Sequence, residues 1–220
     1  MTRAEIVAAV RDMLDDPDYD ADRITRAANW FVYELANNNR LRLFEESDTL
    51  SVPSGATTSD FPADMVTLIS LYLTSPQTYN LMTNYVEYGQ FMNSYANFAT
   101  ATATTLYQWT DFGNAMRFSA PTSAAHTIQV DYIREPVAME EDGDECEIPD
   151  RYMELVCKGA LARVMEINED YAEASQERDN YAPLMTTFIK NESRGGLKIG
   201  PTVMNTRRGR SNPYDIARDF

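Results

Sequence analysis

The sequence has very few of the residues from which metal centres and disulfide frameworks are built. It contains one histidine and two cysteines among 220 residues, and Cys146 and Cys157 do not form a CxxC pair. A structural zinc ion takes about four Cys or His ligands, and a disulfide scaffold needs several paired cysteines. We therefore expect no metal site, no disulfide and no cofactor.

The motifs of common nucleotide-binding and hydrolytic enzymes are also missing. The patterns GxGxxG, GxxxxGK[ST] and GxSxG do not occur. His126, in "AAHTIQV", has no partner marked by the sequence, so we expect a structural or surface role for it. We predict no catalytic residue and no enzyme activity. A hydrolase that uses two carboxylates stays open as an alternative, because a chain with 24% charged residues offers many acid pairs.

Long apolar runs are missing as well. No run reaches the roughly 18 apolar residues of a membrane span, and "MTRAEIVAAVRDML" mixes charges into its apolar positions. We therefore expect no membrane segment and no signal peptide, in a soluble protein made in the cytoplasm.

Acidic residues are abundant, but their spacing does not match a calcium loop. Asp18-x-Asp20-x-Asp22 imitates the first ligands of such a loop, yet Arg23 stands where glycine is required and Asn29 where a bidentate glutamate belongs. The segment "EEDGDECE" lacks the ligand spacing too. Both segments are expected to be solvent-facing loops.

The charge of the chain is divided unevenly. The net charge is −15, while residues 195–220 hold five basic and two acidic side chains, a charge of +3, so that the preceding residues carry −18. An acidic body with a basic arm favours an arm that meets an acidic surface. A disordered terminus is the alternative.

Hydrophobic periodicity predicts helices at both ends of the chain. Residues 2–14 begin with the capping box Thr2-x-x-Glu5. Residues 22–38 form a second helix, in which Trp30 and Tyr33 widen the apolar face. A third helix begins with Pro149 at its first position and is expected to be deeply buried through a broad apolar stripe of Met153, Val156, Cys157, Ala160, Val164 and Ile167. A fourth begins at Asp170 in a second capping box, runs toward residue 191, and contains Pro183, where we expect a kink or break.

The middle of the chain reads as antiparallel strands. Alternating patterns predict strands near residues 41–45, 49–53, 65–73, 104–110, 115–120 and 127–135, with one short helix between residues 79 and 98. The tyrosines and asparagines of residues 79–107 suit sheet packing, an interface or a sugar-binding face. The acidic body disfavours direct nucleic-acid binding, so that only the arm would touch DNA.

These patterns predict an α+β fold in which N- and C-terminal helices form one bundle with an inserted antiparallel β-rich region. The predicted parts are residues 1–39 (N-terminal helices), 40–139 (β-rich insert), 140–193 (C-terminal helices) and 194–220 (flexible, extended basic arm).

Two short motifs carry a resemblance to a known family. "DFPADMVTLISLYL" (residues 60–73) and "EIPDRYMELVCKGALARVME" (residues 147–166) stand at the two ends of the β-rich region. With a tryptophan on an N-terminal helix, they make residues 1–193 resemble the head-to-tail connector adaptors of tailed bacteriophages, including the tail tubular protein A type. The residues at the family's structural positions are Trp30, Phe61, Pro62, Asp64, Ile148, Pro149, Asp150 and Tyr152.

The resemblance implies a noncatalytic virion protein at the head–tail junction. Family members form a homo-oligomeric ring, usually a dodecamer, under the portal protein and join it to the tail nozzle or the next tail component. The arm would then bind the portal, hinged at Gly195 and Gly196. Its contact residues would be Arg207, Arg208, Arg210, Tyr214, Ile216 and Phe220.

The resemblance also implies a physical reason for the negative charge of the body, because DNA must pass through the ring. An acidic lumen, lined from the C-terminal helices or from "EEDGDECE", would allow only transient contact with the genome during ejection. The alternative function is a carbohydrate- or host-surface-binding β module of a phage tail.

Overall fold

The computed structural model describes residues 1–75, 78–94, 106 and 108–193. The α-helices are α1 (Arg3–Leu14), α2 (Ala21–Asn38), α3 (Tyr88–Ser94), α4 (Met153–Ile167) and α5 (Tyr171–Glu192). The strands are β1 (Glu45–Val52), β2 (Thr58–Asp60), β3 (Met65–Ser75), β4 (Tyr79–Asn80), β5 (Trp109–Phe112), β6 (Ala115–Phe118) and β7 (His126–Arg134). Short 3-10 turns cover Arg42–Phe44, Leu81–Asn84 and Asp150–Tyr152.

Local capping defines the two N-terminal helices. The predicted capping box of α1 is confirmed, since Thr2 Oγ1 accepts from the Glu5 N–H at 3.3 Å and Glu5 Oε2 accepts from the Thr2 N–H at 2.8 Å. The helix ends where Asp15 turns left-handed (φ 54°), and α2 then begins behind Asp20, which accepts from the Asp22 N–H at 2.9 Å.

Helices from the two ends of the chain share one hydrophobic core. The central helix, α4, packs against α1, α2 and α5. Val10, Phe31, Val164 and Phe188, one from each of these helices, are at most 2% exposed. Burial of such side chains contributes about 1.5–3 kcal/mol each. The predicted α+β class with a bundle built from both ends is confirmed.

The strands form two sheets rather than one. Four strands pair antiparallel in the order β1-β7-β3-β4, and three pair in the order β2-β6-β5. Alternation along β7 buries Ile128, Val130 and Tyr132, which form a second core with side chains from both sheets. On the opposite face of β7, Asp131 accepts hydrogen bonds from Ser47 and Ser70, and Ile133 is buried in the helical core.

One arginine connects the sheet to the bundle. Arg134, at the end of β7, pairs with Glu46 of β1 at 3.0 Å and with Glu147 at 2.5 Å, just before α4. Its guanidinium carbon lies 5.9 Å from the ring centroid of Phe44, a buried member of the helical core. Arg134 therefore fixes the position of the sheet against the bundle.

Several local predictions were wrong. Within the strand predicted over residues 41–45, Arg42–Phe44 form a 3-10 turn and β1 begins only at Glu45, because Leu41 and Phe44 are both buried in the helical core. Pro149 precedes a 3-10 turn, and α4 begins only at Met153. Helix α5 continues through Pro183 without a break, while the other expected outcome, a kink at this position, stays a prediction.

The second predicted capping box, at Asp170, is absent. The N–H groups of Asn168 and Asp170 are instead bound by carbonyls of α4, those of Val164 (3.0 Å) and Met165 (2.9 Å). These hydrogen bonds of the tight α4–α5 turn therefore fix the backbone conformation at Asp170 without a side-chain cap. Residues 104, 105 and 107 of the strand predicted over residues 104–110 lie outside the described residues, and the strand observed in this part of the chain, β5, begins only at Trp109.

Candidate interaction surfaces

The described residues contain no cluster of three or more His, Cys, Asp or Glu side chains able to hold a metal ion. His126 is 1% exposed at the start of β7, and neither ring nitrogen has a partner in the described part of the chain. Burial raises the pKa of the Cys146 thiol and raises that of Cys157 to about 11, so both thiols are inert at neutral pH. His126, Cys146 and Cys157 are all buried, and the structural or surface role expected for His126 stays a prediction.

The first family motif holds the edge of the sheet region. Phe61 is buried, with its ring centroid 6.3 Å from that of Trp109, and the Pro62 carbonyl accepts from the Met65 N–H at 3.2 Å. Asp64 accepts a hydrogen bond from the Tyr132 hydroxyl at 3.2 Å. Burial and the Asp64 carboxylate raise the pKa of Tyr132 to about 12.

The second family motif holds the ends of three chain segments together. Ile148 is buried in the helical core, the Pro149 carbonyl accepts from the Tyr152 N–H at 2.8 Å, and Asp150 pairs with the α-amino group at 2.5 Å. The Tyr152 hydroxyl donates to Glu192 at 3.0 Å. The motif therefore ties the beginning of α4 to the beginning of α1 and the end of α5.

That end of α5 is where the described chain leaves the bundle. Arg151 pairs with Glu192, and Ser193 forms an isolated bridge with Leu41. The predicted hinge and the predicted portal-contact residues of the arm lie beyond this point, outside the described residues. Their assigned roles stay predictions.

The acidic segment at residues 140–147 is tied to α1 by specific contacts. Asp144 accepts from the N–H groups of Glu140 and Glu141 at 2.7 and 2.8 Å, and these hydrogen bonds lower the pKa of its carboxyl group. Arg3 pairs with Asp142 and, at 2.8 Å, with Asp22. The segment is solvent-facing, as predicted, and its backbone is fixed against the bundle.

Trp30 does not belong to the buried face of α2, contrary to the prediction. Its side chain is 57% exposed, and the Arg163 guanidinium carbon lies 4.9 Å from its ring centroid. Arg163 also pairs with Glu34 and, at 2.8 Å, with Glu166. Burial opposes the charge of Arg163, but these hydrogen bonds outweigh it and raise its pKa. Trp30 is therefore an exposed aromatic side chain whose ring is held in place by the Arg163 guanidinium.

Two surface depressions share the Trp30 side chain, which forms a wall of each. One is lined by Arg23, Arg26, Ala27 and Ile167, and the other by Arg26, Asn29, Tyr33, Asn37, Glu135 and Ala138. Ile167, predicted as part of a buried stripe, is 47% exposed here. Arg26 forms no ion pair with any described carboxylate. We call Arg23, Arg26, Trp30 and Ile167 the Trp30 ridge.

A recess of opposite charge lies on α1 and the loop after it. It is lined by Ala8, Arg11, Asp12, Asp15, Asp16 and Pro17. Arg11 donates twice to the Tyr19 carbonyl, at 2.8 and 2.6 Å, and keeps its charge, so that three carboxylates against this one guanidinium make the recess negative. We call this surface the α1 recess.

Sequence reasoning named Trp30 but missed its neighbours and the α1 recess. Positions 23, 26 and 30 follow helical spacing on the side of α2 opposite the apolar stripe, a signal that the sequence offers. The α1 recess depends on how the chain turns after Leu14, which the sequence pattern does not specify.

A further aromatic surface lies at the β5–β6 hairpin. Phe112 is 48% exposed, with Tyr88 stacked on it at 4.7 Å between centroids and the Arg117 guanidinium 4.3 Å from its ring centroid. These rings pack against their own neighbours. A sugar-binding role for this region stays a prediction.

An α+β fold whose conspicuous features are exposed aromatic and charged surfaces is typical of a structural interaction protein. The comparison with protein families agrees: the profile of the SU10 adaptor protein family matches residues 1–203. The chain belongs to this family of phage head-to-tail adaptors, which are structural virion proteins that work with portal and tail components. No curated protein matches the sequence. None of the described helices is long and apolar enough to span a membrane.

Proposed function

We propose that the protein assembles as a ring of twelve subunits beneath the portal and joins it to the tail nozzle or the next tail component. The observation that carries this proposal is the family match over residues 1–203. In this role the protein is a noncatalytic part of the head–tail junction, assembled in the host cytoplasm.

The arm after Ser193 binds the portal in this proposal. Support comes from the end of α5, where Arg151 and Tyr152 both bind Glu192 and so hold the root of the arm. The arm carries +3 and ends in Tyr214, Ile216 and Phe220, so it combines charge with apolar anchors. Contacts to the portal would offset the entropy lost when such a segment becomes ordered.

The ring's lumen is acidic in this proposal, which keeps passing DNA from binding. Support comes from the charge of −18 carried by residues before 195 and from exposed carboxylates of the C-terminal region. Glu140, Glu141, Asp170 and Glu173 are exposed and form no ion pair with described residues. Repulsion of phosphate removes the counterion release that would otherwise trap DNA.

Deletion of residues 195–220 tests the role of the arm. We expect a folded body with an unchanged circular dichroism spectrum and loss of co-sedimentation with the portal ring of the same phage. Normal co-sedimentation of the truncated protein would overturn the assignment.

A charge series separates electrostatics from apolar anchoring. R207E/R208E/R210E should weaken portal binding most at low salt, whereas the matched control R207K/R208K/R210K should retain most of it. Equal binding by wild type and the glutamate variant across salt concentrations would dismiss the electrostatic contribution.

A further inference from the structure

The Trp30 ridge exposes large apolar side chains, whose contact with water is energetically unfavourable. A tryptophan at 57% exposure and an isoleucine at 47% lie beside Arg23 and Arg26. Tryptophan and arginine are the residues most enriched at the centres of protein interfaces. The ridge therefore has the composition of a binding hot spot.

The charge of the ridge indicates an acidic occupant. Arg26 has no carboxylate partner in the described part of the chain, and Arg23 has only a 3.6 Å contact to Asp20 on its own helix. In a chain whose net charge is −15, a second copy presents more carboxylates than cations. The net charges of two copies repel each other at long range, so the ridge would act at contact distance, where its guanidinium groups can pair with carboxylates of another copy of the same protein.

The α1 recess supplies a complementary shape on that second copy. Ala8 and Pro17 give it apolar walls, Asp12, Asp15 and Asp16 give it negative charge, and Met13 beside it is 43% exposed. A ridge that carries an indole and two guanidinium groups matches a recess that carries apolar walls and carboxylates.

We propose that the Trp30 ridge of one copy docks into the α1 recess of the next copy. Because ridge and recess are different surfaces, the contact is head-to-tail, the type that generates closed rings when its rotation closes. This inference rests on the proposed ring and names the surfaces that build it.

Crosslinking tests the pairing directly. R26C and D12C are introduced singly and together into the full chain and treated with a short bis-maleimide, with and without the portal ring of the same phage. Cys146 and Cys157 are buried, so the wild type serves as the unreactive control. We expect a ladder of dimers and larger multimers from the double variant and monomers from each single variant.

Two results would overturn the inference. Dimers from R26C alone, as abundant as those from the double variant, would show ridge facing ridge. Rings on the portal without a ladder would place another surface at the subunit contact and would leave the adaptor function standing. Conversely, a ladder without any portal binding would support the ridge–recess contact and overturn the proposed function.

A charge swap gives an independent readout. R26E should raise the concentration required for half-assembly by about tenfold, and R26E/D12R should restore it to within about threefold of wild type. W30A should also raise the concentration required for half-assembly, whereas its matched control Y171A, which removes another exposed aromatic, should leave it unchanged. Failure of the swap to restore assembly counts against the pairing of Arg26 with Asp12.

Discussion

The ring of Phe31 lies directly over Gly159, where α2 crosses α4. A Cβ built at Gly159 would lie 2.5 Å from three carbon atoms of that ring, well inside contact distance. The helices therefore approach each other this closely because position 159 has no side chain.

We expect G159A to destabilise the protein by about 1–3 kcal/mol, because the added methyl group overpacks the core by more than the helix propensity of alanine recovers. Chemical denaturation monitored by circular dichroism measures the change. G89A is the control, since a Cβ at Gly89 in α3 meets no atom within 4 Å. Equal stability of G159A and wild type would contradict the observed crossing.

Replacement of Arg134 should loosen the sheet from the bundle. R134M removes the pairs with Glu46 and Glu147 and leaves both carboxylates without their guanidinium, at a cost of about 1.5–3 kcal/mol. R42M, at an exposed position, should change the free energy of unfolding by less than about 0.5 kcal/mol. A cost for R134M no larger than that of R42M would refute the bridging role.

The buried imidazole of His126 should be replaceable by an apolar side chain. H126L loses no hydrogen bond to any described residue and removes an unsatisfied polar group, so we expect unchanged or higher stability. The contrasting variant, T122V, loses the 3.2 Å bond from Thr122 Oγ1 to the Pro53 carbonyl and should cost about 1 kcal/mol. Thermal unfolding at pH 7 compares the two. A large loss of stability in H126L would reveal a polar role.

Alkaline pH should destabilise the protein through Tyr132. Its pKa is raised from 10 to about 12 in the folded state, so its contribution is complete below pH 10 and is lost as pH rises toward 12. The free energy of unfolding should fall by up to about 1.4 kcal/mol per pH unit in this range. Chemical denaturation between pH 9 and 11 measures this change. Y132F should reduce the pH dependence of the free energy of unfolding, whereas Y171F, at an exposed tyrosine, should not. Parallel curves for Y132F and wild type would disprove the linkage.

The sequence predicted the elements whose periodicity and caps are strong. The capping box at Thr2 and the apolar stripe around Val156 and Ala160 depend on neighbours along one helix, so they can be read locally. The strand pattern of Ile128, Val130 and Tyr132 is similarly local.

The predictions that failed depend on packing between segments that are distant in the sequence. The α5 helix tolerates Pro183 because Asp179 and Pro183 are both exposed, so that water can bind the carbonyl left without an N–H donor. Trp30 is as hydrophobic as a core residue, and only the fold shows that it faces outward over Arg163. The α1 recess likewise appears only after folding, because it depends on how the chain turns after Leu14.

Electron microscopy of the protein bound to the portal ring of its own phage tests the central claim most directly. The account predicts a closed ring of copies coaxial with the portal, with residues 195–220 of each copy continuing from Ser193 onto the portal surface. Isolated copies without a ring, or arms folded back onto their own subunit in the assembled particle, would contradict it.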